Sequence, residues 1–103
     1  MPSAEFLKAA EESRQLKAKP SNDELLELYA LFKVANGEDI TKATAPGMFD
    51  LKGKAKHKAW QKEVDAGTSA EEAEAKYIKL VESLKEKYGF DPSKVPEAVG
   101  SNN

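Results

Sequence analysis

The spacing of the apolar residues is the feature that most constrains the fold of this chain. Between the prolines and glycines, apolar residues recur three and four positions apart, and no stretch sustains an alternation of apolar and polar residues. The first spacing is typical of one face of an α-helix, whereas a half-buried strand requires alternation. The sequence therefore predicts an all-α protein without a sheet.

Four segments have this helical spacing. They are predicted as helices over residues 3–17, 22–36, 51–65 and 69–88. Each segment follows or begins with a residue whose side chain can cap a helix N-terminus: Ser3, Ser21, Asp50 and Ser69. Glu24 and Glu72 follow two of these serines at the spacing of a capping box. Because Gly89 comes directly after the last segment, it is expected to end that helix. The four helices are expected to form a small bundle.

The length of the chain favours one domain. With 103 residues, the chain is long enough for one domain but not comfortably for two. The domain is predicted to span residues 1–89. Residues 90–103 contain two prolines and small polar residues without periodicity, so they are predicted to form a flexible C-terminal tail.

Several classes of function are disfavoured by the residues that are missing. The chain has no cysteine, which excludes a thiol nucleophile and a thiolate metal site, and its one histidine, His57, cannot form a two-histidine metal site. His57 and the glutamate pairs of the first and fourth helices are interpreted as solvated. No apolar window reaches the roughly 18 residues of a membrane span, and the first residues do not have the pattern of a signal peptide. We expect a cytoplasmic protein that is not an enzyme and needs no metal or cofactor.

The charges are distributed unevenly along the chain. The net charge is −2, which argues against a broad nucleic-acid-binding surface. Residues 33–62, however, contain seven basic and three acidic residues. A short cationic cluster of this kind suits a compact anionic ligand better than a long polyanion. We therefore expect a small anionic ligand and no nucleic acid.

Aromatic and basic residues combine in two of the predicted helices. Tyr29, Phe32 and Lys33 are spaced to lie on one side of the second helix, and Lys52 and Lys56 on one side of the third. If these helices face each other, the ammonium groups would suit phosphates and the rings would suit a nucleotide base. The alternative is that the rings continue a core stripe and the lysines are solvated. The spacing alone leaves both interpretations open.

A series of short motifs runs through the first 89 residues. They include Lys8-Ala9-Ala10-Glu11-Glu12, Tyr29-Ala30-Leu31-Phe32-Lys33, Pro46-Gly47-Met48, Lys52-Gly53-Lys54-Ala55-Lys56 and Ala59-Trp60. In this order the motifs resemble the acyl-CoA-binding protein family, also known as diazepam-binding inhibitor. The resemblance extends over about residues 4–89 and does not include the tail.

The resemblance implies a four-helix, up-down-down-up bundle that holds long-chain acyl-CoA esters without chemistry. It also implies roles for nine residues of this chain. Three contact the ribose 3′-phosphate: Tyr29, Lys33 and Lys56. One ring stacks on adenine: Phe32. Three complete the nucleotide and pantetheine contacts: Arg14, Lys52 and Tyr77. Two border the acyl groove: Leu25 and Leu26. The implied function is that of a monomeric intracellular carrier and pool former for acyl-CoA, with transient contacts to acyl-CoA-using enzymes or membranes.

The chain departs from the family pattern at a few positions. Phe32 stands where a tyrosine is common, Arg14 replaces a lysine, and His57 replaces a frequent tryptophan. The loop over residues 40–46 is one residue longer than usual and the segment 60–67 is two residues longer. None of these changes removes a residue implied to bind phosphate.

A second class of function also accounts for the basic surface. A helical interaction module could use the same surface to bind a partner protein or an acidic membrane. Such a module would bind its partner without acyl-CoA, and Tyr29 would contribute little to that binding.

Overall fold

The fold is described from a computed structural model, over residues 3–43 and 45–94. This part of the chain contains four α-helices and one 3-10 turn: α1 (Ala4–Glu12), α2 (Asn22–Ala35), the turn Ile40–Lys42, α3 (Leu51–Asp65) and α4 (Ala70–Tyr88). Among these residues the extended pairing is limited to one isolated bridge, between Leu16 and Phe90. The predicted all-α fold is confirmed.

Local side-chain hydrogen bonds fix the starts of the helices. The four predicted N-caps are confirmed: Ser3, Ser21, Asp50 and Ser69. Both predicted capping boxes, with Glu24 and Glu72, are present. Gly89 has φ 81° and follows the last residue of α4, as expected for a helix that ends in a left-handed residue. These signals are local, which is why the sequence predicts the bounds of α2, α3 and α4 to within a residue or so.

Helix α2 lies at the centre of the bundle. It packs against both α3 and α4, whereas α1 packs against α4. The spacing predicts only one buried stripe on this helix, but Ala30 and Leu31, which lie outside that stripe, are also buried, at 2% and 1% exposed. A helix with neighbours on two sides buries two faces, and the pattern of a single stripe does not show the second.

The core is centred on one phenylalanine of α1. Phe6 is fully buried, and its ring centroid lies 5.0 Å from that of Tyr77 on α4 and 5.6 Å from that of Phe32 on α2. These distances are those of favourable aromatic pairs. The three rings therefore join α1, α2 and α4.

Helix α3 has the least buried surface. Trp60 is 3% exposed, but Leu51 and Val64 are 76% and 40% exposed. Because α3 packs mainly against α2, only a narrow strip of its surface is covered.

The end of α1 differs from the prediction. The helix was expected to reach residue 17 but ends at Glu12. The N–H groups of Arg14 and Gln15 then bond to carbonyls three residues back, at 3.1 and 2.9 Å. Leu16 pairs with Phe90 through a backbone bridge, and its side chain is buried in the core although it lies outside the helix. Pairing with a distant segment therefore takes precedence over the helical spacing here.

The first residues of the predicted tail contact this same loop. The Asp91 N–H donates to the Gln15 carbonyl at 3.0 Å, and the Gln15 side-chain amide donates to the carbonyls of Pro92 and Lys94, both at 3.1 Å. Residues 95–103 lie outside the described residues. The domain boundary at residue 89 and the flexibility of the tail stay predictions.

Glu24 connects the start of α2 to the end of α4. Its carboxylate accepts hydrogen bonds from the Tyr88 hydroxyl at 2.5 Å and the Lys87 ammonium at 3.0 Å. The bond from Tyr88, followed by that from the Ser21 backbone N–H, lowers the pKa of Glu24 from 4.5 to about 2. The charged form is therefore the one that the folded state stabilises.

The Phe6→Ala substitution is expected to lower the free energy of unfolding by about 3–5 kcal/mol, because it removes a fully buried ring and leaves a cavity. Urea unfolding followed by circular dichroism measures this. The control is Leu7→Ala on the next position of the same helix, which is 58% exposed and should cost less than about 0.5 kcal/mol. Equal losses in the two variants would contradict the central position of Phe6.

The Glu24→Gln substitution is expected to make stability less dependent on pH in acid. A carboxyl whose pKa is lowered by folding adds stability above its unfolded pKa, and that stability is lost as the pH falls. The loss should therefore occur between pH 4.5 and about 2 in the wild type and be smaller in the variant. Urea unfolding at a series of pH values tests this, with Glu27→Gln on the same helix as the control. A wild-type advantage that stayed constant through this window would contradict the assignment.

Candidate functional site

A cleft of about 610 Å³ lies between the loop after α1 and helices α2 and α3. Eight of the nine residues that the resemblance implicates line it: Arg14, Leu25, Leu26, Tyr29, Phe32, Lys52, Lys56 and Tyr77. The ninth, Lys33, lies beside the Tyr29 ring. The fold thus brings together residues from α2, α3, α4 and the loop after α1.

Two ammonium groups converge on one phenol ring in this cleft. The Lys33 Nζ lies 5.5 Å from the centroid of the Tyr29 ring, and the Lys56 Nζ lies 5.6 Å from it. The buried Trp60 contacts the same ring edge-on, with 6.4 Å between the centroids. Both ammonium groups are within the range of a cation–π interaction. The tyrosine therefore holds together charges from two helices that would otherwise repel each other.

The environment of Lys56 favours an anion. Burial, followed by repulsion from Lys52 and, more weakly, from Lys33, lowers the pKa of Lys56, whereas Asp50 acts in the opposite direction. Lys33 donates to the Glu38 carboxylate at 3.1 Å and keeps further N–H donors. An anion placed between the two lysines would relieve their repulsion and accept charge-assisted hydrogen bonds from both.

Phe32 and Tyr77 form the part of the cleft next to the core. Their centroids lie 6.0 Å apart, and each also packs against Phe6. The Tyr77 hydroxyl is 3.3 Å from the Ser13 hydroxyl, and burial raises the pKa of Tyr77 despite this bond and the charge of Arg14. Tyr77 is therefore a neutral hydrogen-bonding group, and Phe32 presents an aromatic surface backed by the core.

Aliphatic side chains also line the cleft. Leu25 and Leu26 lie on α2 and are half-buried, and Leu51 and Ala55 line the same cleft from α3. Leu51 is 76% exposed, so its side chain is open to contact with a ligand. The cleft thus combines cations, aromatic rings and aliphatic side chains.

Several residues of the site were not predicted from the sequence. Trp60 supports Tyr29, although only its place in a family motif draws attention to it. Lys19 and Pro20 line the cleft from the loop after α1, and Lys94 lines it from the segment assigned to the tail. No pattern in the sequence places Lys94 near the other residues, because its position depends on the pairing with the loop after α1.

Two residues expected to be solvated are not fully so. His57 is half-buried, with its ring edge-on to Trp60 at 6.4 Å, and it lines a separate, shallower cavity. Glu12 pairs with the Lys85 ammonium at 3.2 Å, and its side chain is 14% exposed. Within residues 3–43 and 45–94, no group of three or more His, Asp or Glu side chains is arranged to hold a metal ion. None of the helices in the described part of the chain has the length and apolarity needed to cross a bilayer.

Comparison with known proteins decides the family. The model of the acyl CoA binding protein family matches residues 3–81. This chain belongs to the acyl-CoA-binding protein family. The resemblance found in the sequence is thereby confirmed, and the four-helix architecture is the one that this family has.

Curated relatives and a solved structure agree with this family. Acyl-CoA-binding protein homologs from Manduca sexta and Drosophila melanogaster are 54% and 50% identical, and the matches include 78% and 85% of this chain and 87% and 99% of those proteins. Homolog 1 from Caenorhabditis elegans is 51% identical, over 82% of this chain and 94% of that protein. The crystal structure of Oryza sativa Acyl-CoA-Binding Protein 2 superposes with a TM-score of 0.68 at 38% identity, over 81% of this chain and 89% of that one.

The Lys52→Gln substitution is expected to raise the pKa of Lys56, because it removes the neighbouring positive charge that disfavours the charged ammonium. Side-chain NMR titration of Lys56 measures this shift. Lys58→Gln removes a charge of the same sign from the same helix and should leave the pKa of Lys56 in place. An unchanged pKa in Lys52→Gln would contradict the proximity of the two ammonium groups.

Proposed function

We propose that this chain binds long-chain acyl-CoA esters in the cleft and acts as an intracellular carrier and pool former, without catalysis. The observation that carries this proposal is the convergence of Lys33 and Lys56 on Tyr29 beside an apolar groove. A ligand with a phosphorylated nucleotide at one end and an alkyl chain at the other matches both regions. The named relatives are acyl-CoA-binding proteins, which supports the same ligand for this chain.

The two ends of the ligand contribute in different ways. Each buried methylene of the acyl chain adds up to about 0.8 kcal/mol, so a long chain provides on the order of 10 kcal/mol before the costs of ordering. This term gives affinity but little discrimination between lipids. The head group supplies discrimination, because a free fatty acid lacks the phosphates and the base that the polar region of the cleft is suited to bind.

The head-group roles are those that the family resemblance implies, and the positions of the side chains support them. Lys33, Lys56 and Tyr29 would bind the ribose 3′-phosphate, and the approach of both ammonium groups to the Tyr29 ring supports this assignment. Phe32 would stack on adenine, which requires a π-face but not the hydroxyl of the tyrosine common in the family. The remaining polar contacts, to the nucleotide and to pantetheine, are assigned to three residues together: Arg14, Lys52 and Tyr77.

The acyl chain is assigned to the apolar walls of the cleft. Leu25 and Leu26 would border it from α2, and Leu51 and Ala55 extend the same surface on α3. Withdrawal of alkyl carbons from water is the main driving force for this part of the ligand. The exposed Leu51 side chain should therefore lose much of its accessible surface when the ester binds.

The chemistry of the site supports binding rather than catalysis. His57, the one histidine of the chain, lines a different cavity and packs against Trp60, so it does not face the groups of a bound ester. The proposal also places the chain in the cytoplasm as a monomer that contacts acyl-CoA-using enzymes or membranes transiently. Membership of a binding family favours a carrier over an interaction module that uses the same basic surface.

Calorimetric titration tests the proposed function. A long-chain acyl-CoA should bind tightly with one-to-one stoichiometry, and free CoA and the matching free fatty acid should each bind much more weakly. Release of free CoA during the titration, followed by chromatography, would reveal hydrolysis and contradict a purely binding role. Failure of the ester to bind would contradict the proposal as a whole.

The Lys33→Ala and Lys56→Ala substitutions should each weaken acyl-CoA binding by about 1–3 kcal/mol, because each removes a charge-assisted hydrogen bond to the 3′-phosphate. The same titration measures the loss. Lys58→Ala is the matched control on α3 and should bind like the wild type. With the 3′-dephospho form of the ligand, the variants and the wild type should bind nearly equally. A loss that persisted with that ligand would contradict the assignment of these lysines to the 3′-phosphate.

A further inference from the structure

Residues 89–94 form a strap that runs back over the loop after α1, and we call them the C-terminal strap. The backbone N–H of Lys17 donates to the Gly89 carbonyl at 2.9 Å, and that of Asp91 donates to the Gln15 carbonyl at 3.0 Å. Gln15 is 7% exposed, and its side-chain amide donates to two strap carbonyls, at Pro92 and Lys94. Leaving a buried amide without hydrogen-bond partners costs free energy, so these bonds hold the strap in a defined place.

The strap contributes to the cleft. Lys94 is one of the residues that line it, and its Nζ donates to the Leu16 carbonyl at 3.0 Å. Lys19 and Pro20 line the adjoining wall. The family model matches residues 3–81 and the resemblance in the sequence extends to about residue 89, so Lys94 lies beyond both. The strap therefore adds a positive charge to the ligand site that family membership does not account for.

The position of this charge differs from that of the Tyr29 cluster. The Lys94 Nζ is bonded to Leu16 in the loop after α1, whereas the Lys33 and Lys56 ammonium groups approach the Tyr29 ring from α2 and α3. The cleft thus has a cation held by the loop after α1 in addition to the cations around Tyr29.

Acyl-CoA likewise has two separate anionic groups, the 3′-phosphate and the diphosphate. We propose that the C-terminal strap is part of the ligand site and that Lys94 binds the diphosphate of the CoA head group. This inference rests on the proposed function, in which Lys33 and Lys56 bind the 3′-phosphate. An ammonium group has three N–H donors, so Lys94 can keep its bond to the Leu16 carbonyl and donate to a phosphate oxygen at the same time. Lys19 adds a second positive charge to the same wall.

The Lys94→Gln substitution in the full chain tests the contact. It should weaken binding of a long-chain acyl-CoA about threefold to tenfold, which is the range for a charged hydrogen bond at a partly exposed site. The factor should be the same for the 3′-dephospho form of the ligand, because the diphosphate is still present. Lys79→Gln, which removes a charge from the exposed side of α4, is the matched control and should bind like the wild type.

The Gln15→Met substitution tests the contribution of the strap. It keeps the charge of Lys94 but removes both side-chain bonds that hold the end of the strap. Affinity for both forms of the ligand should fall about twofold to fivefold, since Lys94 would be less well placed. Thermal unfolding of the variant shows whether the chain is folded at the temperature of the titration. Because Lys94→Gln changes an exposed side chain, the test does not depend on the stability of the Gln15 variant.

The outcomes separate this inference from the proposed function. A wild-type chain that does not bind acyl-CoA would overturn both. A wild-type chain that binds, together with a Lys94→Gln variant of equal affinity, would overturn the strap inference alone. The strap inference would also be overturned if the loss of affinity in Lys94→Gln disappeared with the 3′-dephospho ligand, because Lys94 would then contact the 3′-phosphate. Wild-type affinity in folded Gln15→Met would overturn the role of the strap.

Discussion

The packing of Phe6 between Phe32 and Tyr77 is the interaction on which the rest of the structure depends. It joins three of the four helices in a chain that is only 40% hydrophobic and 33% charged, so few other contacts can replace it. Phe32 and Tyr77 are at the same time walls of the cleft. The core thus holds the aromatic part of the site in place before any ligand binds. This reduces the entropic cost of binding.

Whereas the core stabilises the cleft, the positive charges in the cleft repel one another and destabilise it. Burial, together with repulsion from Lys52 and Lys33, lowers the pKa of Lys56. The Tyr29 ring and Glu38 offset part of this repulsion in the free protein. A phosphate dianion would offset more of it. The unfavourable energy of the empty site therefore becomes part of the free energy of binding, which links the charge pattern of the middle of the chain to its function.

The structural features that could be predicted from the sequence are those that depend on residues close together in the chain. The capping serines specify where α2 and α4 begin, and they do so through hydrogen bonds that span three residues. The convergence of Tyr29, Lys33 and Lys56 could be expected only on the condition that two helices face each other, and the family resemblance supplied that condition. The early end of α1 could not be predicted, because the Leu16 backbone pairs with Phe90, which lies 74 positions away. The second buried face of α2 was missed for the same reason, since only the bundle determines how many neighbours a helix has.

The loop after α1 connects these observations. Gln15 and Leu16 receive the C-terminal strap, Arg14 and Lys19 line the cleft, and Ser13 bonds to Tyr77 of the core. If α1 had continued to residue 17, the Lys17 N–H would have bonded to the Ser13 carbonyl within the helix and would not have been available to the Gly89 carbonyl. The break at Glu12 therefore frees this N–H to bind the strap. A change in this loop should act on ligand affinity and on the strap together, whereas a change in the exposed parts of α4 should affect neither.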